Sequence, residues 1–166
     1  MRSELWDNII IKPAAQTHVK AACSLVLRVF HQFVAPGYPP EGIAEFKSYV
    51  NPSAMGRRLS EGNILFVAHE RRATIGVVEV RGGNHLSLLF VAPTHHKRGI
   101  ARALLETAIT ESCRKRPEIE LFTVNAAPGA VNVYKALGFE VTAKPLTTNG
   151  IIHVPMALPI PALLRP

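Results

Sequence analysis

The sequence predicts a single α/β domain built on a mixed sheet, and three observations carry that reading. Short apolar strands alternate with tight turns through residues 64–91, and a helical period takes over from Ile100. A further strand and a second short helix follow, so a helix crosses over between strands. At 166 residues, with hydrophobic residues at 48% and charged residues at 19%, the chain can bury one core without disulfides or a metal, and residues 1–166 read as one domain.

The elements follow in chain order. Ile9-Ile10-Ile11-Lys12-Pro13 is a β-branched strand stopped by proline, and Gln16 to Phe33 sets Val19, Cys23, Val26, Leu27 and Phe30 at helical spacing. Pro36-Gly37 and Pro39-Pro40 break the chain. Ile43, Phe46 and Val50 then outline a weaker second helix ending before Pro52, with a basic helical turn around Arg57 to Leu59. Ile64 to Ala68, Thr74 to Val80 and His85 to Val91 form an antiparallel meander through turns at Arg71-Arg72 and Gly82-Gly83-Asn84. Ile100 to Cys113 is a helix with Leu104, Leu105, Ala108 and Ile109 on its apolar stripe, and Pro117 prevents its continuation. Ile119 to Val124 is a strand, Pro128 to Leu137 a short helix with Gly138 as its left-handed cap, and Phe139 to Val141 and Ile151 to Leu158 close the sheet. The order is β-α-α-β-β-β-α-β-α-β-β, and the proline-rich stretch from residue 159 to 166 reads as an unstructured tail.

Composition narrows the function classes. The net charge of +7 favours an anionic partner, but the basic residues come in short clusters without interleaved aromatics, which argues against nucleic acid. No apolar run approaches the ~20 residues of a membrane span, and the N-terminus carries no export signal, so the expected compartment is the cytoplasm, with no membrane partner. Cys23 and Cys113 lack metal spacing and read as buried thiols. No cluster of histidines and carboxylates has ligand spacing, and the neighbours His95 and His96 would diverge, so no metal is expected.

The segment Val91-Ala92-Pro93-Thr94-His95-His96-Lys97-Arg98-Gly99-Ile100-Ala101-Arg102 runs from a strand through a glycine-containing loop into a helix. The first four N–H groups of a helix have no partner within it, and the helix dipole there favours negative charge. Gly99 lets the backbone approach a pyrophosphate without a Cβ in the way, Ala101 keeps the next position small, and Lys97, Arg98 and Arg102 add positive charge. Taken alone, a glycine before a helix is more often an ordinary turn than an anion site.

Together with Leu88-Leu89-Phe90-Val91-Ala92-Pro93 ahead of it, this loop resembles the acetyl-coenzyme A signature Gln/Arg-x-x-Gly-x-Gly/Ala of the GCN5-related N-acetyltransferases, with His96 in place of the first Gln or Arg. A second segment, Phe122-Thr123-Val124-Asn125 through Tyr134-Lys135-Ala136-Leu137-Gly138-Phe139, is similar to the same family's later motif. The resemblance covers Asn63 to Leu158 well. It implies the GNAT fold, with the fourth and fifth strands parallel and splayed so that pantetheine lies in the gap like an added strand.

The resemblance also implies roles. Backbone groups of Leu89, Phe90 and Val91 would hold the pantetheine, those of His96, Lys97, Arg98, Gly99, Ile100 and Ala101, together with Arg102, the pyrophosphate, and Asn125 the pantetheine again. Tyr134 stands at the family's general-acid position. Strand alternation puts His85, Ser87, Leu89 and Val91 on one face, and His85 is the candidate base, with Glu79 on the preceding strand as a weaker one. The function implied is transfer of the acetyl group of acetyl-CoA to a primary amine by direct attack, with no metal. Another short acyl group, or acyl-CoA sensing without turnover, are the alternatives. Many relatives pair through terminal strands, so a homodimer is compatible with the resemblance. The acceptor, a small molecule or a peptide, stays open, because residues 13–60 and 142–151 are where the resemblance is weakest.

Overall fold

The computed structural model describes residues 8–160. The elements are β1 (Ile9–Pro13), α1 (Gln16–Phe33), α2 (Pro40–Tyr49), α3 (Pro52–Ser60), β2 (Ile64–Glu70), β3 (Ala73–Arg81), β4 (His85–Val91), α4 (Ile100–Lys115), β5 (Leu121–Ala126), α5 (Val131–Ala136), β6 (Glu140–Val141), β7 (Leu146–Thr148) and β8 (Ile151–Pro159). The sheet order is β1-β2-β3-β4-β5-β8-β6, with β7 paired to β8 off that path. All neighbours are antiparallel except β4 and β5.

The core forms because α1 and α4 cover the two faces of the β2–β4 meander. Val19, Ala22, Cys23, Val26, Val29 and Phe30 recur on one side of α1 and are buried, as are Leu104, Leu105, Ala108 and Ile109 on α4. A Cβ on Gly76 would meet Leu104 and Ile100, which puts Gly76 and its same-face neighbours Val78 and Val80 under α4. Ile75, Val77 and Glu79 therefore face the α1 side. No described helix is long and apolar enough to cross a membrane.

Three sequence expectations need correction. Pro52 does not only end a helix: it is the first residue of α3, whose N-cap Asn51 accepts the Ala54 N–H at 2.9 Å, so the basic turn at Arg57 belongs to a full helix. A strand went unread at Leu146–Thr148, which pairs with Ile151–His153 around Asn149 (φ 50°) and Gly150 (φ 74°). Two left-handed residues between paired strands are the signature of a type I′ hairpin, for which Asn-Gly is the favoured sequence. The tail does not begin at residue 159, because Pro159 closes β8 opposite Leu121 and Ile160 donates to the Glu120 carbonyl at 2.9 Å. The rest of that stretch, like the N-terminal segment searched for an export signal, lies outside the described residues.

Candidate active site

The parallel strands β4 and β5 pair only at His85↔Thr123 and Leu86↔Val124, after which they part. From Leu88 onward the β5 side of β4 is an open edge. Which of its backbone groups face the gap follows from the register with β3. Val91 is opposite Gly76, and the Ala92 N–H donates to the Ile75 carbonyl at 2.8 Å, which makes Val91↔Gly76 a non-hydrogen-bonded pair. Alternation then turns the N–H and C=O of Leu89 and Val91 outward into the gap, while Phe90 exchanges its bonds with Val77. The expected trio narrows accordingly: Leu89 presents its N–H and C=O to the gap and Val91 its N–H, the Val91 carbonyl being taken by His96 Nε2, and Phe90 presents neither.

The loop after β4 is shaped for an anion. Lys97 has φ 60° and Gly99 has φ 80°, so left-handed residues alternate with others just before the first turn of α4 and aim N–H groups into one concavity. Gly99 is the N-cap of α4 and offers no side chain to cap it, leaving the helix's first amides for a ligand. Ile100 anchors the turn by burying its side chain in the core, and Ala101 packs beside it. His96, the departure from the signature, donates from Nε2 to the Val91 carbonyl at 2.8 Å, tying the loop to the end of β4. His95 joins Glu70 at 3.1 Å, and Arg98 lies 3.6 Å from the same carboxylate.

Across the gap stand β5 and α5. Asn125 is exposed near the end of β5, opposite Pro155 of β8. Arg102 reaches from α4 to the Ala136 carbonyl at 2.7 Å, so one of its donors holds the end of α5 beside the phosphate loop. Gly138 (φ 103°) turns the chain there, bringing Phe139 edge-on to the Tyr134 ring with 5.5 Å between centroids. Burial pushes the Tyr134 phenol above its ordinary value. A strand edge with outward amides and an N-terminal cradle carrying Lys97 thus border one opening, and these groups fit the pantetheine and pyrophosphate of an acyl-coenzyme A.

A family model described as an acetyltransferase (GNAT) domain matches residues 34–160. The chain belongs to the GNAT acetyltransferase family. Membership makes it an acyltransferase of the acyl-coenzyme A class. Solved structures share this GNAT fold. A GCN5-related N-acetyltransferase from Rhodopseudomonas palustris is 16% identical with a TM-score of 0.76, over 91% of this chain and 95% of that one. The PaiA N-acetyltransferase from Thermoplasma acidophilum, in complex with coenzyme A, is 15% identical with a TM-score of 0.76, over 92% and 99%. The ribosomal-protein-S18-alanine N-acetyltransferase from Escherichia coli is 21% identical with a TM-score of 0.59, over 92% and 94%.

The β3–β4 pairing of this GNAT domain departs from simple strand alternation. The β3–β4 register slips between Glu79 and Val80, so that Glu79 pairs with Leu88 and Val80 with Leu86, leaving Ser87 as the extra residue of a bulge. His85 consequently sits opposite Arg81, on the face of Glu79 and Phe90, and not with Leu89 and Val91 as alternation predicted. Its Nδ1 shares a 2.8 Å hydrogen bond with Thr123 Oγ1 across the point where the strands part. Burial, then the positive charges of Arg81 and His153, push the His85 pKa below its usual value.

Glu79 is not arranged as a base. Its carboxylate is 1% exposed and accepts from Arg58 Nε at 2.7 Å, Arg58 Nη2 at 3.0 Å and Asn63 Nδ2 at 2.9 Å. With its oxygens engaged by a guanidinium and an amide, it has no open route to an amine. Arg58 lies over the Tyr49 ring at 3.7 Å, and Tyr49 itself was invisible to the sequence reading. Its position on the sheet-facing side of α2, one turn after Phe46, is the signal that marks it. Cys23 packs against Met55 with 3.6 Å between sulfurs, and burial raises its thiol to about 11, as befits an inert core cysteine.

Proposed function

We propose that this GNAT domain moves the acetyl group of acetyl-CoA to a primary amine by direct attack while both substrates are bound. The observation that carries the reading is the β4–β5 opening, which has outward amides of Leu89 and Val91 on one wall and the Lys97–Gly99 cradle at one end.

Bound there, acetyl-CoA supplies a thioester carbonyl activated toward amines. Leu89 and Val91 offer backbone groups in the geometry of a strand partner, and an outward N–H of β4 can hold the carbonyl oxygen as negative charge develops. Tyr134 donates a hydrogen bond to the departing sulfur. Reference values of ~10 for a phenol and ~8.5 for a thiol already make complete proton transfer uphill by ~1.5 units, and the upward push on Tyr134 widens that gap. A hydrogen bond that strengthens as thiolate forms is sufficient. His85, kept neutral to lower pH than a free imidazole, accepts the proton from an amine on the acceptor face. Against a lysine-type ammonium of ~10.4 it would work uphill by more than ~4 units, so such an amine has to arrive neutral.

The experiment is a thiol-release assay with acetyl-CoA over a panel of amines, with mass spectrometry of the products. A product heavier by one acetyl group is the expected result. Coenzyme A binding without thiol release from any amine would instead establish a sensor, and release only from propionyl or succinyl donors would change the acyl group.

A further inference from the structure

On the acceptor face, the acidic residue nearest the opening is cancelled and the basic ones are not. Glu79 is held by Arg58 and Asn63, so it presents no net negative charge to a substrate. Arg81, two residues on along β3 and on the same face, is exposed and has no ion pair or hydrogen-bond partner among the described residues. It sits directly across from His85, and His85 is tied to Thr123 at the closed end of the gap, where β4 and β5 are still paired. His153, mostly buried on β8, adds a further basic group whose charge reaches His85.

Two hydroxyls complete the wall. Tyr49 Oη and Ser87 Oγ are both buried, adjoin one another, and have no hydrogen-bond partner meeting ordinary geometry. Ser87 is placed there by the bulge in β4, and Tyr49 comes from α2 with its ring under Arg58. The two carboxylates of α2 are exposed beside the β7–β8 turn, Glu41 next to Gly150 and Glu45 accepting from Asn149 Nδ2 at 3.4 Å.

We infer that the acceptor is a small amine that also carries an anionic group, a carboxylate or a phosphate, bound by Arg81. The inference rests on the acyl-transfer reading above and narrows it. Polyamines, aminoglycosides and lysine-rich peptides would bring further positive charge beside Arg81, where the neighbouring carboxylate, Glu79, is already held by Arg58 and Asn63. An amino carboxylate or amino phosphate brings the charge the face lacks, and a guanidinium binds either in a two-pronged fashion.

The test compares matched acceptors: α-amino carboxylates, their carboxamides, aminoalkyl phosphates and spermidine, with thiol release as readout and calorimetric titration of coenzyme A on the same protein. The carboxylates or the phosphates should be turned over with kcat/KM at least roughly tenfold above the matched neutral amines, and whichever anion wins identifies the group. Arg81→Gln should remove that preference by raising the acceptor KM, Arg81→Lys should restore part of it, and coenzyme A affinity should stay unchanged in both. Preference for carboxamides or spermidine, equal use of charged and neutral partners, or an Arg81→Gln variant with unaltered selectivity would each overturn the inference while leaving acyl transfer standing. Absence of coenzyme A binding in the titration would overturn both together.

Discussion

The donor half of the molecule and the acceptor half are built on opposite principles. Around the β4–β5 opening the useful groups are backbone atoms, those of Leu89 and Val91 and the amides that Lys97 and Gly99 aim into the loop. On the proposed acceptor face they are side chains drawn from β3, β4, β5 and β8, namely Arg81, His85, Thr123 and His153. A backbone site is fixed by strand pairing and helix start, so it tolerates sequence change. A side-chain site is fixed by packing among distant elements, so it can be remodelled without disturbing the fold. That contrast accounts for relatives of 15–21% identity that nonetheless superpose over nearly the whole chain.

If the halves are separable in this way, perturbing one should spare the other. The largest effect is expected from Glu79→Ala, which strands Arg58 in a nearly closed site. Removing one partner of such a buried pair should cost about 3 kcal/mol and lower the melting temperature by roughly 6–12 °C, with coenzyme A affinity retained in the folded protein. Calorimetry with and without coenzyme A checks both. Tyr134→Phe should reduce kcat on the order of a hundredfold with the coenzyme A dissociation constant near normal, since the lost hydrogen bond forms only as the sulfur departs. Unchanged kcat would remove Tyr134 from the chemistry.

Gly99→Val attacks the donor half directly. A branched side chain at φ 80° strains the loop, and coenzyme A affinity should fall on the order of tenfold with acceptor selectivity intact. His96→Ala should weaken coenzyme A binding by about fivefold through the lost bond to Val91, a change visible by titration. The pH dependence is subtler. Because burial and neighbouring charges depress the His85 pKa, the imidazole stays neutral, and therefore basic, to lower pH than usual. The acid limb of kcat/KM should fall below the ordinary histidine value of ~6.5, and Arg81→Gln should move it upward by removing a repulsive charge. A limb that ignores both Arg81→Gln and His85→Ala would exclude His85 as the base.

The same division governs what the sequence disclosed. Gln16–Phe33 and His85–Val91 were legible to the residue because a sustained apolar period and flanking turns define them, and the passage from β4 through Gly99 into α4 was legible because the glycine and the helix start are local features. The bulge at Ser87 was not, since an extra residue in one strand shows only once its partner is paired, and it reversed the face assigned to His85. Glu79 looked available because nothing near it in sequence announces Arg58, 21 residues away. The Asn149-Gly150 hairpin was readable in principle but sat in a short, exposed stretch with little apolar pattern. Long-range side-chain pairing, and not secondary structure, is where local reading ended.

The central claim is that the open edge of β4 receives the donor through outward backbone groups. Residue-resolved amide hydrogen exchange with and without coenzyme A tests it most directly. Exchange at Leu89, Val91 and the amides of residues 97–101 should slow markedly on binding, while Phe90, already bonded to β3, should not change. Saturating coenzyme A that leaves Leu89 and Val91 unprotected, or that protects another surface instead, would contradict the account.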